Sequence, residues 1–313
     1  MNQHFLQSPA WEKFQKLEGH QTFRVQGDHF SALAILETTP VGNYLFCPYG
    51  PAIDTSKSQT ASANLQTALQ ALTQLAQEQN AFFVRIEPAF NSLSTQALQS
   101  LGLKKSHDID PAHTWVLDLT QPKEELLKQM RKSNVQYWQS SAKKGLKIRT
   151  SQDPSEISIL SSLLRGVANK DHFTPQDEEH LRLQIEAGFA TLYFAEYQGQ
   201  TLAASLVYDY DGTRFYAHAA TSDQERKLAA GTVLLVQMIL DAQGSGAKTF
   251  DFWGITTSED PKHPWYGFTK YKKSFGGHEI DYAGTWDLPL NSAKYRLYQI
   301  IRHLNRLKRK ILH

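Results

Sequence analysis

Residues 249–277 read TFDFWGITTSEDPKHPWYGFTKYKKSFGG. The apolar run 250–253 stops at Gly254, the pattern of a buried strand and its end. A polar loop containing Pro261 and Pro264 follows. A short amphipathic segment then sets Lys270, Lys272 and Lys273 beside Tyr266, Phe268 and Tyr271. Aromatic faces interleaved with ammonium groups suit a ligand with both planar groups and phosphates. An isolated KYKK reads more simply as a solvated basic helix face. The ligand reading therefore rests on the whole string and on its surroundings.

On either side the patterning is α+β. Strands are expected at 23–25, 32–37, 44–48, 82–87 and 114–119. Helices are expected at 62–79, with Leu65, Leu69, Leu72 and Leu75 on one stripe, and at 95–101. A further helix spans 124–144, with Gly145 as its stop and Lys143 and Lys144 in its last turn. The pattern then restarts, with helices at 155–168 and 175–187 and strands at 190–197, 201–210 and 214–219. A helix at 228–242 leads into the strand 249–253, and a last strand runs over 279–286. Each half thus offers an antiparallel meander, a helix and another strand. Domains are expected at 1–150 and 151–290, with a C-terminal helix over 291–313 docking on the first. A cleft between two such domains is the default place for a ligand.

The chain has 313 residues, 41% hydrophobic and 20% charged, as in ordinary globular domains. A single cysteine, Cys47, excludes an internal disulfide or a multi-cysteine metal site and reads as core packing. No basic-then-apolar leader opens the sequence and no apolar run is long enough to span a bilayer, so a cytoplasmic location is expected. The net charge of +2 does not argue for nucleic acid. Its distribution says more, because residues 294–313, KYRLYQIIRHLNRLKRKILH, are rich in Lys and Arg and hold no acid. Leu297, Ile300, Ile301, Leu304, Leu307 and Ile311 form one stripe, and this apolar face is expected to dock on the protein body. The basic face could meet tRNA phosphates, an anionic membrane surface, or only water.

Motif searches exclude several chemistries. There is no Walker loop, no dinucleotide-binding G-x-G-x-x-G, no H-E-x-x-H and no G-x-S-x-G. The twelve histidines are scattered, so no metal is expected. The segment Arg226-Lys-Leu-Ala229-Ala-Gly231, opening the helix at 228–242, is a loose relative of the pyrophosphate loop of GNAT acetyltransferases, with Ala229 where a glycine would sit.

Several strings in order along the chain carry a family likeness. They are Phe5-Leu-Gln-Ser-Pro-Ala-Trp11, Cys47-Pro-Tyr-Gly50-Pro51, Phe83-Val-Arg85-Ile-Glu87-Pro88 and Phe215-Tyr216-Ala-His218-Ala-Ala220, then Asp251-Phe-Trp-Gly254 and the run 267–277. Together they resemble the FemABX aminoacyltransferases, which build the peptide cross-bridges of peptidoglycan. The resemblance implies two tandem GNAT-like domains with a ligand cleft, in a compact form lacking the helical-arm insertion of some members. One departure is Val135, near which the family pattern would place an arginine.

The implied reaction moves an amino acid from aminoacyl-tRNA to a stem-peptide amine of a peptidoglycan precursor, either UDP-MurNAc-pentapeptide or its lipid-linked form. No cofactor is implied beyond aminoacyl-tRNA as co-substrate. Lys272 takes the charge-stabilising role and Tyr271 stacks or orients. Lys270 and Lys273 would meet tRNA. Arg85, Lys170, Tyr49, Tyr216 and Trp253 are the candidates for the precursor's phosphates and uracil. Two other readings stay open: an acyl-CoA-dependent N-acyltransferase, and a non-catalytic module that binds tRNA or the precursor.

Overall fold

The computed structural model describes residues 3–56, 58–171 and 174–311, without the side chains of 58, 59, 170, 171 and 306–311. Its contacts divide the chain into Met1–Ala112 with Asp281–His313, and His113–Ile280. This differs from the boundaries expected at 150/151 and 290/291, for a reason visible in the strand pairing below.

The first unit holds α1 (Pro9–Leu17), β1 (Gln21–Gly27), β2 (Phe30–Thr39), β3 (Gly42–Cys47), β4 (Ala52–Ile53), α2 (Ser58–Glu78), β5 (Ala81–Ile86), α3 (Thr95–Ser100) and β6 (Lys104–Lys105). The second holds β7 (His113–Asp118), α4 (Lys123–Gln129), α5 (Lys132–Ser141), β8 (Lys147–Ser151), α6 (Ile157–Asp171), α7 (Glu178–Glu186), β9 (Ala190–Tyr197), β10 (Gln200–Tyr210) and β11 (Thr213–Thr221). It continues through α8 (Ala230–Gly244), β12 (Thr249–Gly254), α9 (Tyr266–Lys273) and β13 (His278–Asp281). The chain then returns to the first unit with β14 (Trp286–Pro289) and α10 (Ser292–Ile311).

One plan serves both units. In the first, the sheet order is β1-β2-β3-β5-β14-β6 with β4 on β2, and α2 is the crossover between the parallel pair β3 and β5. In the second the order is β13-β7-β12-β11-β10-β9-β8, and α8 joins the parallel pair β11 and β12. Strand β5, Ala-Phe-Phe-Val-Arg-Ile, is buried at every position, as a strand covered on both faces must be. On α2, Leu65, Leu69, Leu72 and Ala76 are buried at helical spacing, and α8 buries nearly its whole circumference.

Three expectations are corrected. The helix expected at 124–144 breaks at Met130, whose backbone is extended (φ −75°, ψ 150°). Neither Pro nor Gly breaks it; the Arg131 N–H is taken by the Ser274 carbonyl at 2.8 Å. The strand expected at 279–286 is two strands in two sheets, β13 beside β7 and β14 beside β5, separated by Gly284 at φ +69°. Since β7 pairs with β12 while β14 pairs with β5, the unit boundaries move to these points. Finally, α10 meets β5 through Tyr295 and Tyr298, while Leu297, Ile300 and Leu304 of the apolar stripe are exposed.

Candidate functional site

Parallel strands β11 and β12 pair only over Thr213↔Thr249, Arg214↔Phe250 and Phe215↔Asp251. Beyond Asp251, β12 keeps to β7 (Gly254↔Thr114) while β11 stays with β10 to Thr221, so the two strands part company. At this parting an acid stands in an otherwise apolar strand. Asp251 is 4% exposed, and its Oδ1 accepts the Trp253 N–H at 2.7 Å and the Thr114 hydroxyl. Trp253 is held at φ +65°, an uncommon conformation for a bulky residue. Here the acceptor two residues back ties down its N–H.

This turn presents the Gly254 carbonyl to Lys272, whose Nζ donates to it at 2.6 Å. Lys272 is 2% exposed, and its Nζ lies 4.1 Å from the centre of the Phe268 ring. An ammonium has three N–H donors; among the described residues, the Gly254 carbonyl takes one. Burial pushes the Lys272 amine down to about 7, with Asp251 pulling the other way. Burial likewise pushes the Asp251 carboxyl up to about 6, against Thr114, Trp253 and Lys272. Both groups therefore change charge near neutrality, as acid–base and charge-stabilising groups do at reactive sites.

The helix bearing Lys272 is tied at both ends. The Thr256 N–H donates to Thr269 Oγ1 at 3.0 Å, and Asn134 Nδ2 donates to the Ser274 carbonyl and hydroxyl at 3.1 and 2.9 Å. Gly277 (φ +98°) passes so close to the Val116 carbonyl that a Cβ would collide with it, while Trp115 Nε1 donates to the Gly276 carbonyl at 2.7 Å. The terminal Gly-Gly of the opening string is thus a steric requirement of α9 against β7.

The other nominated residues part into those near this turn and those elsewhere. Tyr271 turns its ring into the core against Phe275, and burial raises its hydroxyl to about 12 despite a hydrogen bond with Thr232. Lys270 and Lys273 are exposed, the first 5.3 Å from the Tyr266 ring centre and the second 4.8 Å from that of Trp115. Trp253 is half-buried, with ring-edge contacts to Tyr208 and Phe215. Tyr216 is core, at 8% exposure. Lys170 is the penultimate residue of helix α6, and its side chain lies outside the described residues.

In the first unit, Arg85 is 1% exposed and grips Asp287 with two parallel bonds, Nε to Oδ1 at 2.7 Å and Nη2 to Oδ2 at 2.9 Å. Ser106 and Tyr298 take further donors, and the rings of Tyr44, Phe83 and Tyr298 surround the guanidinium at 5.3–5.9 Å. This corrects the expected phosphate contact: the fork is filled by the buried carboxylate of Asp287. Tyr49, expected to offer a face to uracil, is 4% exposed and stacks on His4 at 3.8 Å.

Sequence reasoning missed Thr114, Asp251 and Asp110. A lone acid inside DFWG was the available signal for Asp251. Asp110 had none. Burial and the neighbouring Glu87 carboxylate raise its carboxyl well above the ordinary range. Glu87 Oε1 meanwhile accepts the N–H groups of Ile109 and Asp110 at 3.1 and 3.2 Å and the Thr285 hydroxyl. The same unit contains a cavity of about 730 Å³ lined by Lys105, His107, Asp287, Tyr298 and Arg302.

Comparison with known proteins gives a consistent result. The FemAB family profile matches residues 1–98 and 174–303. A lipid II:glycine glycyltransferase of Staphylococcus epidermidis is 25% identical over 129 residues, 41% of this chain and 31% of that protein. The chain thus spans about a third of that relative's length. The Staphylococcus aureus protein of the same name aligns over 404 residues at 20% identity, covering 99% of this chain and 94% of the relative. The crystal structure of FemX superposes with a TM-score of 0.83 at 19% identity, covering 94% of each chain. A tandem GNAT protein from the clavulanic acid pathway gives 0.50 at 13% identity, covering 87% of this chain and 83% of its own. These likenesses show the fold, a pair of GNAT-like domains.

Proposed function

This chain belongs to the FemAB family, and from that membership we propose that it is an aminoacyltransferase acting on a peptidoglycan precursor, with aminoacyl-tRNA as donor. The observation that carries the reading is the buried Lys272 amine at the β12–α9 turn, with one donor on the Gly254 carbonyl and Asp251 beside it. The relatives named lipid II:glycine glycyltransferases support the acceptor class.

The chemistry asks little of the protein. The ester joining the amino acid to the tRNA 3′ end is already activated. A neutral stem-peptide amine attacks its carbonyl carbon, the C–N bond forms, the C–O bond to ribose breaks, and the proton lost by the amine ends on the released ribose hydroxyl. Negative charge gathers on the carbonyl oxygen in between. An ammonium held in a dry pocket stabilises that charge without reorganising. Lys272 fills this role, with the 48% exposed Phe268 ring covering its amine. Asp251 acts through Lys272 by keeping its amine protonated, so it is a positioning residue.

In this reading the exposed Lys270 and Lys273 meet tRNA phosphates, and Trp253 at the strand parting meets a planar group. The proposed transfer draws on no cofactor. Among the described residues no helix is long and apolar enough to cross a membrane, and we place the reaction in the cytoplasm, where aminoacyl-tRNA is made.

Transfer of labelled amino acids from a mixed aminoacyl-tRNA pool onto UDP-MurNAc-pentapeptide or its lipid-linked form tests this reading. Label should reach one of these acceptors and should fail to do so with Lys272→Ala. Turnover with acyl-CoA and none with aminoacyl-tRNA would overturn the reading. The short turn Arg226–Leu228 and the left-handed Ala229 (φ +49°) before α8 would then become the focus.

A further inference from the structure

Helix α10 carries two unlike faces. Tyr295 is 2% exposed, packs edge-on against Phe83 at 5.3 Å, and its hydroxyl donates to Asp287 Oδ2 at 2.8 Å. Tyr298 adds ring contacts to Phe82 and Phe83 at 5.9 and 5.2 Å. The helix is therefore anchored by aromatic side chains on the side facing β5. Leu297, Ile300 and Leu304 are 50%, 58% and 51% exposed. At 3.6 residues per turn they share about 60° of the circumference, on the side away from Tyr295. The same spacing continues in the sequence at Leu307 and Ile311.

The charge on this helix is one-signed. Residues 292–311 contain seven Lys or Arg (Lys294, Arg296, Arg302, Arg306, Lys308, Arg309, Lys310) and no Asp or Glu. On the wheel, the exposed Lys294 falls along one edge of the stripe and the exposed Arg296 along the other, while Arg302 lies on the Tyr295 side. An outward aliphatic stripe edged by cations is the signature of a helix lying in a membrane interface. A second copy of the chain would bring two such cationic helices together, which Coulomb repulsion opposes. A nucleic acid would satisfy the cations and leave the aliphatic stripe in water. An anionic bilayer takes up both the stripe and the cations flanking it.

We propose that the Leu297–Ile300–Leu304 face of α10 seats in the headgroup region of an anionic lipid bilayer, holding the protein at the membrane surface. The benefit to catalysis, delivery to a lipid-linked acceptor, rests on the proposed function. The surface binding itself does not.

The test uses full-length protein floated with vesicles of phosphatidylcholine alone or mixed equally with phosphatidylglycerol. Wild type should rise with the mixed vesicles and not with pure phosphatidylcholine. Leu297→Gln/Ile300→Gln/Leu304→Gln should bind the mixed vesicles at least tenfold more weakly, with an unchanged melting midpoint. Ile300→Trp provides a second readout, its emission shifting to the blue on the mixed vesicles. Equal flotation of the triple variant, no flotation of wild type, or no blue shift would overturn the proposal. So would loss in the triple variant of concentration-dependent self-association or of tRNA retention, which would assign the face to another copy or to nucleic acid. Because no step of the readout requires transfer, a failure of the enzymatic reading leaves this test intact.

Discussion

Among the described residues, Arg85 with Asp287 in the first unit and Lys272 with Asp251 in the second are each buried at both partners, and the two pairs are built to opposite ends. In the first, Arg85 and Asp287 meet in a bidentate bond at 2.7 and 2.9 Å, with Tyr295, Tyr298 and Ser106 taking remaining positions. The arginine stays charged, its proton held more firmly than usual by Asp287 against the effect of burial. In the second, Lys272 donates to a backbone carbonyl and feels Asp251 only through space, and both groups drift toward neutrality at about 7 and 6. A saturated pair has nothing left to offer a ligand. An under-saturated one keeps donors free and a charge that responds to what arrives.

Breaking the first pair should produce the largest effect on folding. Arg85→Ala leaves Asp287 buried and uncompensated, at a cost of about 3–5 kcal/mol in denaturant unfolding. Transfer by the fraction that remains folded should be near wild type. A normal midpoint would show that the pair is not structural.

The second pair should respond in rate more than in stability. Asp251→Asn keeps acceptors for Trp253 and Thr114 while removing the charge beside Lys272. The Lys272 amine then deprotonates more easily, and transfer at pH 7.5 should fall by on the order of tenfold, one pKa unit being about 1.36 kcal/mol. Lowering the pH should recover the rate, because the ammonium re-forms. A loss that is constant with pH would assign Asp251 to folding of the turn alone.

pH sharpens the contrast further. With Lys272 at about 7, transfer by wild type should decline as pH rises through that value, and Lys272→Arg should remove the decline because guanidinium does not titrate there. Stability moves oppositely. Between about pH 7 and the ordinary lysine value of 10.5, the unfolded chain holds a proton that folded Lys272 lacks, so this residue makes folding stability rise with pH. Asp251 acts in the reverse sense between 3.8 and about 6, where the folded carboxyl holds the extra proton and stability falls as pH rises. Unfolding midpoints of wild type against Lys272→Ala and Asp251→Asn, measured across pH, read these contributions out.

The smallest effect belongs to the surface. Lys270→Ala with Lys273→Ala should weaken tRNA binding only several-fold and reduce its salt dependence, with no change in unfolding. An unchanged salt slope would remove both from the tRNA face.

The units' strands and crossover helices were legible because each is written in local periodicity, as with the four-leucine stripe of α2 and the largely apolar α8. What escaped was set by partners far along the chain. Arg85 finds Asp287 across 202 residues, a distance at which no sequence window works. The break at Met130 is made by Ser274. On α10, Leu297, Ile300 and Leu304 of the expected docking stripe are exposed, and the side chains of Leu307 and Ile311 lie outside the described residues; periodicity shows that a face exists and not which way it turns. For the candidate site, the lysine was visible in its string. Its governor, Asp251, showed in the sequence only as a lone acid in an apolar strand, and the fold adds the bonds from Trp253 N–H and Thr114 that hold it beside Lys272.

The central claim is that Lys272 serves the reaction and not the fold. Single-turnover transfer by wild type and Lys272→Ala, each with its unfolding midpoint, tests it most directly. The account predicts a rate lower by about 10²–10³, the loss of one charge-stabilising donor at roughly 2.7–4 kcal/mol, with the midpoint unchanged or raised at pH 7. A rate within threefold of wild type, or a loss matched by unfolding, would contradict it.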